Sequence, residues 1–230
     1  MTPSEIAKLE RYIGYEFVDQ NLLVQAVTHR SFSAHNNERL EFLGDGVLNF
    51  IVAETLYKQF PDAAEGQLSR LRAMLVKQKT LAEIARELNL SDFLVMGTGE
   101  LKSGGYNRDS ILSDTVEAIL GAAYLESGFA TAVKLVLGWY KDRFALLSLE
   151  QAEKDAKSQL QEWLQAQKHP LPDYQVVTIE GEAHEQQFTI KLDLPVLESS
   201  IEASGPSRRA AEQNAAAEAL AQIAVGINNE

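Results

Sequence analysis

Three carboxylates lie within one apolar stretch of the chain, at spacings of three and four residues. Glu38, Glu41 and Asp45 are interleaved there with large apolar side chains such as Phe42 and Leu48. A helix turns by about 100° per residue, so the three carboxylates would fall within roughly 60° of one another on one face. Such carboxylates raise one another's pKa, and a hard divalent cation such as Mg²⁺ relieves that cost. The pattern indicates a metal site, and the alternative is a solvated acidic face.

A second apolar stretch repeats the pattern at residues 111–125. Its Asp114 and Glu117 are three residues apart, so on a helix they are neighbours on one face. Two buried helices with acidic faces would repel each other if they packed together. Packing around one or two metal ions would turn that repulsion into a binding site.

Four segments together resemble the ribonuclease III family. ERLEFLGDG at 38–46 resembles the signature nonapeptide of that family, and SILSDTVEA at 110–118 resembles its second acidic motif. EGQLSRLRA at 65–73 is similar to a third block, and GELKSGG at 99–105 to a glycine-rich turn. The resemblance covers the whole chain in the bacterial order, which is an endonuclease domain followed by a double-stranded-RNA-binding domain.

The resemblance implies a Mg²⁺-dependent cleavage of double-stranded RNA, with Mn²⁺ able to substitute. Glu41, Asp114 and Glu117 would bind the first ion, and the ion would activate water for attack on the scissile phosphate. Glu38 and Asp45 would act nearby, through water or as supporting ligands. Glu65 would help to place a second ion or the RNA backbone, and its alternative is a partner in capping a helix. The products would carry 5′-phosphate and 3′-hydroxyl ends.

Gly44 and Gly46 bracket Asp45 inside the predicted helix. Each glycine costs a helix interior up to about 1 kcal/mol, which favours close approach of a second helix or of RNA backbone over a locally loosened helix. Phe42 and its apolar neighbours fit a core. The resemblance implies that they also pack against a twin helix in a homodimer, whose two sites would leave short 3′ overhangs.

Composition agrees with a folded, soluble protein. The chain has 230 residues, 45% of them hydrophobic, and no cysteine, so disulfides and thiolate metal sites are excluded. The four histidines form no close pair, which argues against zinc. The N-terminus is polar, and no run reaches the roughly 18–20 apolar residues that span a bilayer. We expect a cytoplasmic protein with no membrane contact.

Net charge is unusual for a protein that binds phosphates. The chain carries −12, of which residues 1–150 contribute −5 and residues 151–230 contribute −7. Bound divalent ions would neutralise part of the excess in the first half. The second half has no metal site, so its RNA binding must depend on a few groups and be weak and salt-sensitive.

Periodicity predicts a multidomain chain, with an all-α endonuclease domain at 1–148, a polar linker at 149–156 and a small α-β-β-β-α domain at 157–226. Helices are predicted near 4–11, 20–32, 37–59, 65–74, 78–88, 110–126 and 129–148, with no convincing strand among them. The second domain is predicted to contain helices at 158–167 and 208–223 and strands at 174–180, 186–192 and 198–204.

The second domain resembles the double-stranded-RNA-binding domain, and its contacts carry over residue by residue. Helix and loop positions predicted to reach the minor groove or phosphates are Gln161, Glu162, His184, Ser207, Arg208 and Arg209. The alternatives are an ordinary loop histidine for His184 and a solvated helix start for the arginines. The sequence departs from the family pattern at Ala156, Ala203 and Glu212, where the family often has proline, glycine and a basic residue.

Three classes of function fit these features. The first is a Mg²⁺-dependent double-stranded-RNA endonuclease that processes ribosomal RNA precursors and other structured transcripts. The second is a non-catalytic RNA-binding scaffold, and the third is a helical metal-dependent hydrolase of small phosphoesters. Loss of Glu41, Asp45, Asp114 or Glu117 would favour the scaffold, and all four are present. The RNA-binding pattern disfavours the small-molecule hydrolase.

Overall fold

The computed structural model describes residues 1–152, 155–182, 185–197 and 199–227. Contacts divide the chain into two compact units, Met1–Ala152 and Glu153–Glu230. In the first unit the helices are α1 (Pro3–Ile13), α2 (Gln20–Ala26), α3 (Glu38–Gln59), α4 (Glu65–Val76), α5 (Gln78–Glu87), α6 (Thr98–Lys102), α7 (Asp109–Trp139) and α8 (Lys141–Ala145). The predicted all-α first domain is therefore confirmed.

Helices α3 and α7 form the centre of the first unit, and two glycines set their separation. A Cβ atom at Gly44 of α3 would lie 1.8 Å from the carbonyl oxygen of Glu117 on α7. A Cβ atom at Gly121 of α7 would lie 2.2 Å from the carbonyl oxygen of Leu40 on α3. The predicted close approach at Gly44 is confirmed. Gly46 has a different surrounding, because a Cβ there would meet no described atom within 4 Å.

Helix α7 is long and apolar because it lies in the core. By length and composition alone it could cross a membrane, with mean hydropathy 1.3 over its most apolar window, a test that the core helix of a folded domain also passes. Its side chains from Ile111 to Ala123 are mostly buried, and the helix packs against α3 and α5. Gly128 has non-helical angles (φ 76°, ψ −175°), and this kink explains why the sequence predicts two helices there.

Helix α2 is shorter than predicted. It ends at Ala26, where the sequence predicted a helix to residue 32. The following residues are held by another segment instead, because Thr28 forms a parallel bridge with Val95 and the His29 amide donates to the Val95 carbonyl at 2.9 Å. This bridge directs the loop at His29 and Arg30 toward α3.

The second unit has the predicted α-β-β-β-α order. Its elements are α9 (Ala156–Ala166), β1 (Asp173–Glu180), β2 (Gln187–Asp193), β3 (Ile201–Gly205) and α10 (Arg208–Ile227). The strands form an antiparallel sheet in the order β1-β2-β3. The core of this unit is formed by side chains from one helix, the middle strand and the second helix. These are Leu160 and Leu164 of α9, Ile190 and Leu192 of β2, and alanines of α10. The third strand begins at Ile201, later than predicted, and Glu198 lies outside the described residues.

Around the predicted linker, a 3₁₀ turn spans Leu149–Ala152 and α9 begins at Ala156. The side chain of Asp155 caps that helix by accepting from the Ser158 amide at 2.9 Å. This capping bond fixes the start of α9 in the second unit.

Candidate functional site

Three of the predicted carboxylates converge between α3 and α7. One carboxylate oxygen from each of Glu41, Asp114 and Glu117 lies within 4.8 Å of the others. The close helix packing at Gly44 produces this convergence, because the carbonyl of Glu117 itself contacts that glycine. Within the described part of the chain, no ion pair to any of the three is present. The arrangement could hold a divalent cation.

Burial raises the pKa of all three carboxyl groups, and repulsion by neighbouring carboxylates adds to the effect at Glu41 and Glu117. Burial is the main cause that raises the pKa of Glu117 to about 8, and the charges of Asp45, Asp114 and Glu41 add to it. Burial, followed by Asp114 and Glu38, raises the pKa of Glu41. Burial also raises the pKa of Asp114, although a hydrogen bond from Ser113 opposes the shift. Groups that are costly to ionise alone are the ones that a bound cation would stabilise.

The other two acidic residues of α3 lie beside this cluster. Glu38 is the first residue of α3, 3.5 Å from Arg30, and it accepts from the side-chain amide of Asn36 at 3.2 Å. Asp45 accepts from the side-chain amide of Asn49 at 2.8 Å, and its charge is the largest charge effect on Glu117. Both carboxylates therefore act on the cluster through their charge and are themselves oriented by neighbours.

Glu65 is not brought into this cluster within the protomer. It lies in the first turn of α4, where its carboxylate accepts from the Ser69 hydroxyl at 2.6 Å. It lines a separate depression with Tyr57 and Arg72. The cap of α4 is formed by Gln67, whose side chain accepts from the Ala64 amide at 3.0 Å.

A cavity of about 330 Å³ opens beside the cluster and mixes acidic with basic groups. His29, Arg30 and Arg108 line it together with Glu41 and Asp114. Arg108 pairs with Glu100 at 2.8 Å, which ties the glycine-rich turn to the site. The glycine-rich turn was noticed in the sequence but the basic lining was missed, because Arg108 is far along the chain from His29 and Arg30. The cavity could accept a phosphate next to a metal ion.

The predicted RNA contacts of the second unit that the structure describes lie on exposed surface of α9 and at the exposed start of α10. Gln161 and Glu162 are exposed on α9, and Arg208 and Arg209 are exposed at the start of α10. The hydroxyl of Ser207 accepts from the Ala210 amide at 3.1 Å and so caps α10. His184 lies outside the described residues.

The fold and site define a class of protein, a helical nuclease domain with a metal-binding acidic cluster followed by a double-stranded-RNA-binding domain. The ribonuclease-III-like family matches residues 19–143, and the double-stranded RNA binding motif matches residues 156–223. The protein named ribonuclease 3 of Marinomonas sp. (strain MWYL1) is 57% identical over 216 residues, 94% of this chain and 95% of the relative. That of Shewanella denitrificans is 53% identical over 218 residues, 95% and 96% of the two chains.

Among solved structures, the nuclease domain of ribonuclease III from Campylobacter jejuni has a TM-score of 0.60 and 51% identity. The match covers 61% of this chain and 99% of that one. The chain belongs to the ribonuclease III family. It is a double-stranded-RNA-specific endoribonuclease of a metal-dependent family, and the resemblance drawn from its four motifs is confirmed.

Proposed function

We propose that this endonuclease depends on Mg²⁺, with Mn²⁺ able to substitute, and leaves 5′-phosphate and 3′-hydroxyl ends with short 3′ overhangs. Its substrates are ribosomal RNA precursors and other structured transcripts in the cytoplasm. The single observation that carries the proposal is the carboxylate cluster of Glu41, Asp114 and Glu117, with ligand atoms within 4.8 Å of one another. An all-oxygen set with no nitrogen or sulfur donor suits a hard cation of this kind.

Each acidic residue has a defined part in this proposal. Glu41, Asp114 and Glu117 hold the ion, which when bound supplies Lewis acidity that activates water and stabilises the leaving 3′-oxygen. Asp45 and Glu38 support the cluster through their charge, and their hydrogen bonds to Asn49 and Asn36 keep them oriented. A role for Glu65 in placing a second ion or the RNA backbone stays a prediction.

The basic lining of the cavity gives the RNA backbone a place next to the carboxylates. The guanidinium groups of Arg30 and Arg108 line the same cavity as Glu41 and Asp114. Guanidinium groups bind phosphate oxygens with paired hydrogen bonds, so they offset the repulsion between the backbone and the acidic cluster. The chain's own residues thus orient the scissile phosphate.

The second unit contributes binding and no chemistry. Gln161 and Glu162 face the minor groove, His184 enters the next one, and Ser207, Arg208 and Arg209 contact phosphates. The exposure of Gln161 and Glu162 on α9 and of Arg208 and Arg209 at the start of α10 supports this assignment. The proposed boundaries are 1–148 for the endonuclease domain, 149–156 for the linker and 157–226 for the RNA-binding domain.

The active form is proposed to be a homodimer. Phe42 is 83% exposed and Phe50 is 61% exposed, although both are large apolar residues of α3. They line a groove of about 630 Å³ with Val47, Tyr124 and Phe129. Exposed apolar surface of this kind marks an interaction site. The Campylobacter nuclease domain was solved in a study of flexibility in its region involved in dimer formation, which also supports the proposal.

Phe42→Asp should turn the dimer into a monomer, because it places a charge in the apolar groove. Sedimentation velocity measures the result. Phe32→Asp is the matched control, since Phe32 is 60% exposed and does not line that groove. A Phe42→Asp protein that sediments as the wild type does would contradict the proposed interface.

Glu117→Gln should abolish cleavage of a long RNA duplex while binding stays nearly intact, because it removes a metal ligand and leaves the second unit unchanged. Gel analysis with and without Mg²⁺, read for 5′-phosphate and 3′-hydroxyl ends, measures the result. Glu54→Gln is the matched control on α3, where the carboxylate pairs with Lys58 on the surface. Cleavage by Glu117→Gln at the wild-type rate would contradict the site.

A further inference from the structure

A buried glutamate joins the two helix starts of the second unit. Glu212 on α10 is 8% exposed, and each of its carboxylate oxygens accepts from a different cation. Oε1 accepts from Nε of Arg208 at 2.8 Å, and Oε2 accepts from Nζ of Lys157 at 2.5 Å. Lys157 belongs to α9 and its ammonium also lies 4.5 Å from the ring centroid of Tyr174. One carboxylate therefore links both helices that carry the proposed RNA contacts.

The charge state of Glu212 is fixed by these partners. Burial acts to raise its pKa, but the hydrogen bonds from Lys157 and Arg208 outweigh burial and hold the pKa below its ordinary value. The group is therefore an anion at neutral pH. Together with its two cations it forms a cluster of net charge +1, in a domain whose sequence carries −7.

The described contact at Arg208 is at Nε and does not use the terminal nitrogens that bind phosphate. A guanidinium has five N–H donors, and Glu212 takes the one at Nε. Among the described residues, no hydrogen bond from its two terminal nitrogens is present, and the side chain is 62% exposed. A side chain held at Nε keeps its fork in one direction, so less conformational entropy is lost when the fork binds a phosphate.

A second contact between the helices supports the same junction. The side-chain oxygen of Gln213 accepts from the Lys157 amide at 3.1 Å. A hydrogen bond from Gln213 is also the main cause that lowers the pKa of Asp155, the residue that caps α9. Two consecutive residues of α10 thus hold the start of α9, but only Glu212 contacts the exposed arginine.

We infer that Glu212 is a positioning residue for RNA binding, which holds the guanidinium of Arg208 toward a duplex phosphate and fixes α9 beside it through Lys157. The inference depends on the proposed contact between Arg208 and RNA. It also gives a reason for an acidic residue at the position where the resemblance leads one to expect a basic one. Under this inference, one oriented arginine contributes more to the RNA affinity of an acidic domain than an additional mobile cation would.

The test exploits the sign of the effect. Glu212→Gln removes a negative charge from a surface that binds phosphates, so a carboxylate that only repels RNA would give tighter binding when replaced. A positioning role predicts the opposite, a dissociation constant raised about 3- to 10-fold, because ordering one long side chain contributes on that scale. The slope of log affinity against log salt should shrink by up to about one unit. Binding is measured with the full chain in a chelating buffer, where no divalent ion supports cleavage.

Two further variants separate position from charge. Glu212→Asp keeps the charge but is one methylene shorter and cannot reach both cations, so it should also weaken binding. Glu218→Gln removes the same charge from an exposed site on α10, where the carboxylate accepts from Gln222 at 3.4 Å, and should not weaken it. Thermal unfolding of each variant shows whether the domain remains folded. Cleavage by Glu212→Gln at saturating RNA should keep the wild-type kcat, with only the KM raised.

A double-mutant cycle with Arg208→Ala completes the test. If Glu212 acts through Arg208, Glu212→Gln should add little weakening in the Arg208→Ala background. Equal weakening in both backgrounds, or tighter binding by Glu212→Gln, would overturn the inference. If Arg208→Ala alone leaves affinity and salt slope unchanged, the proposed RNA contact itself is wrong and the inference fails with it. If Arg208→Ala weakens binding and both Glu212 variants do not, only the positioning role is wrong.

Discussion

At the scale of single residues, Glu117 is both a buried packing residue and a member of the carboxylate cluster, and burial opposes the ionisation of its carboxyl group. It is 9% exposed, and its backbone carbonyl forms the surface on which Gly44 rests. Its carboxyl group faces Glu41 and Asp114. The packing therefore buries the Glu117 carboxyl group beside two other carboxyl groups, where its ionised form is strongly disfavoured. In the proposed metal site, the ligands are already in place before the ion binds, and the cost is a lower stability of the metal-free protein.

This cost predicts how stability depends on pH. The Glu117 carboxyl titrates near 4.5 when unfolded and near 8 in the folded protein without metal. Between those values the unfolded chain binds fewer protons, so the free energy of unfolding falls as pH rises. Glu117→Gln should thus stabilise the metal-free protein at pH 8 by on the order of 2–4 kcal/mol, and by little at pH 4. Denaturant unfolding in a chelating buffer measures it.

The control for this prediction is Glu54→Gln, which alters an exposed surface pair and should change stability little at either pH. A stability difference between Glu117→Gln and the wild type that does not grow with pH would show that the Glu117 carboxyl is ionised in the folded protein, contrary to the expected raised pKa.

At the scale of elements, the carboxylate cluster of Glu41, Asp114 and Glu117 depends on the distance between α3 and α7. Gly44→Ala would place a methyl group 1.8 Å from the Glu117 carbonyl, so the helices must separate. We expect a loss of stability of about 2 kcal/mol or more, since overpacking typically costs about 1–3 kcal/mol, and weaker metal binding because Glu41 moves away from Asp114. Thermal unfolding and metal titration measure the two effects.

Gly138→Ala is the matched control, because it lies in α7 with no described atom within 4 Å of the added methyl group. It should stabilise the protein by up to about 1 kcal/mol through helix propensity alone. If both alanine variants had the same stability, close packing at Gly44 would not set the helix separation.

Elements with strong periodicity could be predicted from sequence, and those set by long-range contacts could not. The spacings of three and four residues correctly predicted that the acidic residues share one face on each of α3 and α7. The end of α2 was predicted wrongly because the bridge between Thr28 and Val95 joins residues far apart in the sequence, which a local pattern cannot reveal. The basic lining at Arg30 and Arg108 was missed for the same reason. Glu65 carries a family resemblance, yet the fold of one protomer keeps it apart from the cluster.

At the scale of the whole molecule, the proposed function divides catalysis and RNA affinity between two units. The carboxylate cluster belongs to Met1–Ala152, and the exposed arginines at the start of α10 belong to the second unit. Both halves of the sequence carry a net negative charge, so net charge does not favour either unit. The proposed phosphate contacts of the second unit, at Arg208 and Arg209, are adjacent and exposed at one helix start. Binding under physiological salt should therefore depend on the second unit.

Truncation after Ala152 should leave a folded dimer that cleaves duplex RNA at low salt and high Mg²⁺ but poorly at physiological salt. The solved Campylobacter nuclease domain, which matches 61% of this chain, supports independent folding of the first unit. Initial rates across a salt series, with sedimentation to check assembly, measure the result. A truncated protein that is folded and dimeric yet inactive under every ionic condition would contradict this division.

The burial of Glu117 also determines what leaves the protein when an ion arrives. With a pKa of about 8 its carboxyl group holds a proton at neutral pH, whereas a metal ligand must be an anion. Loading the proposed site should therefore be an exchange, in which a divalent ion enters and close to one proton is released to the buffer. The measured heat of loading would vary with the ionisation enthalpy of that buffer. A fall in pH should weaken metal binding, because a proton on the Glu117 carboxyl group competes with the metal ion for the same oxygen atoms.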